Sequence, residues 1–119
     1  MSLRLAQVGV VHANGRRALS AVDLVVAAGN VMPLLAAGSE AAVITGLADL
    51  LSAGGRLVAG FGLDAAHLPL AAPPFGLDEY DAWCGAARLS LVERYATWQS
   101  DQYGGGGYAV SVHVREGTT

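Results

Sequence analysis

Cysteine is nearly absent from this chain of 119 residues: Cys84 stands alone, so no intrachain disulfide can form, and a reducing cytoplasm fits. A small buried thiol accounts for a lone cysteine more readily than a nucleophile does. Charge is scarce as well. Charged residues make up 14% against 53% hydrophobic, which excludes a disordered chain and requires strands and helices that are largely covered. Seven basic against ten acidic side chains give a formal charge of −3, and no stretch concentrates Lys or Arg, so no nucleic-acid partner is expected. No apolar run approaches the ~20 residues of a membrane span, and the opening Met-Ser-Leu-Arg-Leu-Ala-Gln lacks the apolar core of a secretion signal. A soluble, cytoplasmic protein without a membrane partner is the expectation. His12, His67 and His113 are too irregularly spaced to suggest a metal site, and a single cysteine cannot complete one. There is no internal repeat, and the length suits one domain spanning residues 1–119.

What the chain does have is a buried strand in a telling place. Val22 to Leu35 reads Val-Asp-Leu-Val-Val-Ala-Ala-Gly-Asn-Val-Met-Pro-Leu-Leu, an acidic residue followed by an apolar run that stops at Gly29-Asn30. Such a run marks a strand covered on both faces, predicted here over Val22 to Ala28. In open parallel sheets ligands gather beyond the carboxyl ends of the strands, which directs attention to Ala27 to Met32.

Upstream, Leu5 to His12 reads as a short strand ended by the turn signal Ala13-Asn14-Gly15, and Arg16 to Ser20 is too short for a covering helix. Downstream, Pro33 ends the extended path of Val31 and Met32. Ser39 to Ala53 is the clearest helix, with Ser39 placed to cap, Glu40 in the first turn and Gly54-Gly55 to stop it. Gly46 inside that helix suggests a close approach to the sheet. Arg56 to Phe61 is the next strand, parallel to the one before. Gly62 to Gly76 is a long, non-periodic loop of the kind that serves a site. Asp78 opens a second helix carrying Tyr80, Trp83, Cys84 and Ala87. Leu89 to Trp98 and Tyr108 to Arg115 are antiparallel strands joined across Gln99 to Gly107, and the alternation in the second predicts one wet face.

Asp23-Leu-Val-Val-Ala-Ala-Gly-Asn30, the Ala53-Gly-Gly-Arg-Leu-Val58 turn into a strand, the Leu77 to Leu89 helix and the closing hairpin together resemble the carboxyl-terminal half of class I, Rossmann-like S-adenosylmethionine-dependent methyltransferases. The order of parts over roughly Val8 to Arg115 carries the resemblance more than any one motif. It implies an α/β fold, a truncated Rossmann-like sheet with parallel central strands and a carboxyl-terminal antiparallel hairpin. It also implies S-adenosylmethionine as cofactor and methyl transfer to a small-molecule acceptor.

The family's glycine-rich cofactor loop is missing, and so is the acidic residue that holds the ribose: Gly9 and Gly15 form no G-x-G pattern. The family's strand order, three, two, one, four, five, seven, six, would leave Leu5 to His12 two strand widths, about 9.5 Å, from Val22 to Ala28 if it were the third strand. Either Leu5 to His12 moves into the vacant slot, or that edge pairs with another molecule, and a homodimer is expected. The short link from Asn14 to Ala21 suits a hairpin at least as well as a crossover.

By the resemblance, Asn14 falls where an acidic residue accepts a hydrogen bond from the adenine amino group, which an amide oxygen also can; the plain alternative is that Asn14-Gly15 is a turn. Ala28, Gly29 and Asn30 match the loop against the methionine end of the cofactor, and equally could simply end a buried strand. His67 is the one histidine near a plausible substrate entrance, where a general base would have to reach the substrate proton. Gly104 to Gly107 lead into a strand rather than a helix, so they read as a flexible connection and not a phosphate loop. Trp98, Tyr103 and Tyr108 flank it, with core packing favoured over an acceptor pocket. Two functions follow: a methyltransferase that depends on alignment of a reactive cofactor, or a noncatalytic truncated relative held together by dimerisation.

Overall fold

The computed structural model describes residues 5–7 and 22–117. Among the described residues five strands form one sheet: β1 (Leu5–Gln7), β2 (Val22–Ala27), β3 (Leu51–Gly62), β4 (Leu89–Tyr95) and β5 (Tyr108–Arg115), in the spatial order β1-β2-β3-β5-β4. Helix α1 (Glu40–Leu50) connects β2 to β3, and α2 (Leu77–Ala86) precedes β4. β1, β2 and β3 are parallel, while β5 runs antiparallel to both β3 and β4. The expected α/β sheet with parallel centre and antiparallel closing hairpin is present. Its last four strands follow the family order four, five, seven, six.

The slot beside β2 is filled from within the chain. Leu5, Ala6 and Gln7 pair with Leu24, Val25 and Val26 in parallel, so the connection between them is a crossover and not a hairpin. The expected turn at Ala13-Asn14-Gly15, and Asn14 itself, lie outside the described residues.

Helices and sheet meet over one core. Val25, Ala27, Leu57, Ala59 and Phe61 point from the strands to Ile44, Leu47 and Ala48 of α1 and to Tyr80 and Cys84 of α2, all buried. Aromatic edges lock the α2 side: Phe61 meets Tyr80 at 5.1 Å and Phe75 at 5.6 Å, and Phe75 meets Trp83 at 4.9 Å. Phe75 thereby fastens the far end of the long loop to the core.

Several local expectations give way to longer-range partners. The first helix stops at Leu50, not Ala53, because Leu51 turns extended and pairs with Val22. Its last carbonyls are met by Arg115, whose Nη1 donates to the oxygens of Ala48 at 2.5 Å and Leu51 at 2.6 Å. Gly54-Gly55 therefore lies inside β3, at an irregularity where a step of two residues on β2, Val22 to Leu24, faces a step of five on β3, Leu51 to Arg56. Gly54 takes φ 80°, and a Cβ on Gly55 would sit 2.9 Å from the Ser52 carbonyl oxygen, so the pair permits a bulge rather than ending a helix. Ser39 does not cap: its hydroxyl donates back to the Ala36 carbonyl at 2.6 Å, and Glu40 instead accepts the Gly38 N–H at 2.8 Å. Gly46 faces open space, so no close approach to the sheet explains it.

At α2, Glu79 accepts the Gly76 N–H at 3.0 Å, closing the first turn. Val31 is helical rather than extended and leads into a single 3₁₀ turn, Met32–Leu34, which buries Met32 and Pro33. Nor is one face of β5 wet at its centre: Ala109, Val110, Ser111 and His113 are at most 2% exposed.

Candidate functional site

β2 delivers its last buried side chain, Ala27, into the core and then reverses through two consecutive left-handed residues, Gly29 at φ 77° and Asn30 at φ 63°. Glycine takes that conformation freely, and asparagine is among the few other residues that tolerate it. The turn aims the Asn30 amide across the sheet to the end of β3. Its Oδ1 accepts the Gly62 N–H at 2.7 Å, and its Nδ2 donates to the His67 carbonyl at 3.3 Å.

The chain leaving β3 makes a short 3₁₀ turn, Ala65–His67, with Asp64 at its start. The Asp64 carboxylate accepts the His67 backbone N–H at 3.1 Å, and Asp64 Oδ1 and His67 Nδ1 are 2.6 Å apart. That hydrogen bond from His67 holds the Asp64 carboxyl below the usual carboxylate range. Two glycines leave room for the pair. A Cβ on Gly62 would run into the His67 main chain, and one on Gly107 would run into the Asp64 carboxylate and the His67 ring. Gly107 also binds the loop directly, its carbonyl accepting the Leu63 N–H at 2.7 Å. The ends of β2 and β3 and the beginning of β5 thus meet at one place, with a carboxylate–imidazole pair seated between them.

Of the residues singled out from the sequence, Ala28, Gly29 and Asn30 lie at this junction. Asn14 lies outside the described residues. Asp64, Gly62 and Gly107 were not foreseen; the signal available was Asp-x-x-His just beyond a strand that ends in glycine. Among Gly104 to Gly107, the first three face open space, as a flexible connection would, and only Gly107 is closely packed. Trp98 is not core: it is 42% exposed, covers Gly60 and donates from Nε1 to the Tyr108 hydroxyl at 2.9 Å. Tyr103 hydrogen-bonds the Gly106 carbonyl at 3.1 Å, which pins its own loop.

A second polar group lies under α2. Asp81 Oδ1 accepts from Arg94 Nη2 at 2.6 Å and stands 3.2 Å from His113 Nε2, while Arg94 Nε donates to Ser111 Oγ at 3.0 Å. Burial pulls the His113 pKa down, against the opposing pull of Asp81. Burial likewise pushes the Cys84 thiol up to about 12, the inert condition of a structural cysteine. This cluster is closed to solvent at His113, Ser111 and Cys84 and serves packing.

A cavity of about 420 Å³ lies away from the strand ends. It lies on the sheet face away from the helices, lined by Leu24, Arg56, Val58, Glu93, Tyr95 and Val112 among others, and contains no His or Cys. Among the described residues no group of three or more His, Cys, Asp or Glu could hold a metal ion, and no helix is long and apolar enough to cross a membrane.

No protein-family profile matches the chain, and no curated protein is significantly similar to it. Solved structures are. A TehB-like SAM-dependent methyltransferase from Corynebacterium glutamicum superposes with a TM-score of 0.68 at 26% identity, over 80% of this chain and 48% of its own. The CcbJ methyltransferase from Streptomyces caelestis gives 0.64 at 21% identity, over 78% and 60%. A 1,6-didemethyltoxoflavin-N1-methyltransferase from Burkholderia thailandensis, solved with S-adenosylhomocysteine, gives 0.57 at 13%, over 79% and 44%. The fold is that of class I S-adenosylmethionine-dependent methyltransferases, and the resemblance to their carboxyl-terminal half holds in three dimensions. The chain spans about half the length of the first of these and three fifths of the second.

The residues present fit one end of such a cofactor. Gly29 is exposed, left-handed and open where a Cβ would project, leaving bare main chain at the carboxyl end of β2 for a ligand to approach. The Asn30 amide, by contrast, is already engaged by Gly62 and His67, and so shapes the turn rather than reaching outward.

Proposed function

We propose that this chain takes part in S-adenosylmethionine-dependent methyl transfer to a small acceptor, at the junction where β2 and β3 end. The observation that carries the reading is the left-handed Gly29-Asn30 turn, bridged by the Asn30 amide to Gly62, on a sheet that superposes on methyltransferases. Ala28 and Gly29 would lie against the methionine end of the cofactor, Asn30 would hold their turn, and Asn14 would meet the adenine amino group. When bound, the cofactor supplies a methyl carbon on a sulfonium, so an acceptor lone pair forms the new bond as the carbon–sulfur bond breaks and its pair stays on sulfur. The protein's own part is to fix the acceptor, exclude water and manage its proton, which needs a shaped pocket more than a conspicuous triad.

Calorimetric titration of the full chain with S-adenosylhomocysteine tests this. Micromolar affinity that Gly29→Val abolishes is the expected result, and silence up to millimolar ligand overturns it.

The chain also works as a homodimer in the cytoplasm on this reading. β1 occupies the edge beside β2, so the support for a dimer now comes from the sheet face away from the helices. There Leu24, Val58 and Val112 lie beside Val92, which is half exposed, and Asp23, Arg56 and Glu93 supply charges of both signs that can match across a two-fold axis. Light scattering at high concentration should return the dimer mass, and Val58→Asp should halve it. A wild-type monomer would refute the dimer and leave the cofactor reading standing.

A further inference from the structure

We propose that His67 is a general base for that reaction, with Asp64 as its positioning residue, and that the acceptor therefore carries a proton on its reacting oxygen or nitrogen. This deepens the methyl-transfer reading and rests on it. An ionised carboxylate can only accept, so the 2.6 Å contact with Asp64 places a hydrogen on Nδ1, and in the neutral imidazole the lone pair is then on Nε2. Among the described residues Nε2 has no hydrogen-bond partner, and the side chain is 47% exposed, so a ligand can reach it.

Asp64 also caps the 3₁₀ turn, and that local role accounts for its bond to the His67 N–H. It does not account for the seat. The pair is packed against two positions, Gly62 on β3 and Gly107 before β5, where any side chain would collide with it. Asn30, in the turn that follows β2, donates to the His67 carbonyl at 3.3 Å. A capped turn on a surface loop needs none of these. A base that must hold its place relative to the strand ends needs all of them.

The proton moves from the acceptor O–H or N–H to Nε2, and the bonding pair it leaves stays on the acceptor atom. Asp64 offsets the positive charge that the imidazolium then carries, as a carboxylate behind a catalytic histidine does. An acceptor that is already an anion needs no such step.

The test compares wild type, His67→Gln and Asp64→Asn as full chains, with S-adenosylmethionine and two probes: catechol, which must lose a proton, and thiophenol, which is already ionised near neutral pH. For His67→Gln, catechol methylation should fall by about 100-fold or more while thiophenol methylation falls by less than about threefold. Affinity for S-adenosylhomocysteine should not change. Independently of turnover, nitrogen-resolved spectra of the neutral imidazole should show the Nδ1–H tautomer in wild type and lose that preference in Asp64→Asn. Equal losses on both probes, no loss on catechol, or an Nε2–H tautomer in wild type would overturn the assignment. So would a wild type that binds S-adenosylhomocysteine but does not methylate catechol, which leaves the parent reading intact. A wild type that binds no S-adenosylhomocysteine removes that reading, and this one with it.

Discussion

Asn30 and Gly62 are joined side chain to main chain: the amide oxygen at the end of β2 accepts the N–H at the end of β3 at 2.7 Å. The Gly62 N–H is partly buried, and Asn30 holds a left-handed φ of 63°. Asn30→Ala loses the acceptor and strains the turn together, and should lower unfolding free energy by about 1–3 kcal/mol. Asn30→Gly relieves the backbone but not the bond, so urea denaturation should place it between wild type and the alanine variant.

Gly60 lies directly beneath the Trp98 indole, and a Cβ there would enter the ring. Gly60→Ala should displace Trp98, break its 2.9 Å bond to Tyr108 and cost about 1–3 kcal/mol. A shift in tryptophan emission that Trp98→Phe abolishes would confirm the origin, since Trp83 is held between α2 and Phe75 on the opposite side of the sheet.

Arg115 binds the carbonyls of Ala48 and Leu51 from the far side of the sequence. Removing a charged donor from two carbonyls should cost about 1.5–3 kcal/mol, read as a lower urea midpoint for Arg115→Met. Arg115→Lys keeps the charge but not the planar guanidinium whose Nη1 meets both carbonyls, and should recover only part of the loss.

His113 gives the fold a pH dependence of defined sign. Its folded pKa is depressed by burial, with Arg94 acting in the same direction and Asp81 against both. The neutral form therefore belongs to the fold. Stability from this group is complete above an unfolded-state pKa of about 6.5, and is lost as pH falls through the folded value. His113→Gln should be less stable near neutrality and flatter below pH 6.5 or so. Parallel pH profiles for the two proteins would contradict this.

The architecture was legible because it is written locally. The run from Val22 to Ala27, the amphipathic α1 and the alternating β5 each announce their element within a dozen residues, and their order gives the topology from β2 onward, while the place of β1 depends on its long-range pairing with β2. What misled was punctuation with a distant partner. Gly54-Gly55 looks like a helix stop, yet Arg115 caps α1 and the glycines serve a bulge against Val22. Polar Ser111 and His113 look like a wet face, yet Asp81 and Arg94 admit them to the interior. At the site, Ala28 to Asn30 could be located because they end a strand. The seat for Asp64 and His67 could not, because Gly62 and Gly107 come together only when β3 and β5 pair.

Cys84 has a practical use that follows from where it sits. It is the chain's sole sulfhydryl, 0% exposed on the buried face of α2 and reluctant to ionise. A disulfide reagent such as dithionitrobenzoate can react only with molecules that have opened, so the rate of colour release at low denaturant measures how often α2 lifts away. With one reporter per polypeptide, no labelling or mutagenesis is required. The destabilised variants above should rank in that kinetic assay in the same order as in equilibrium unfolding.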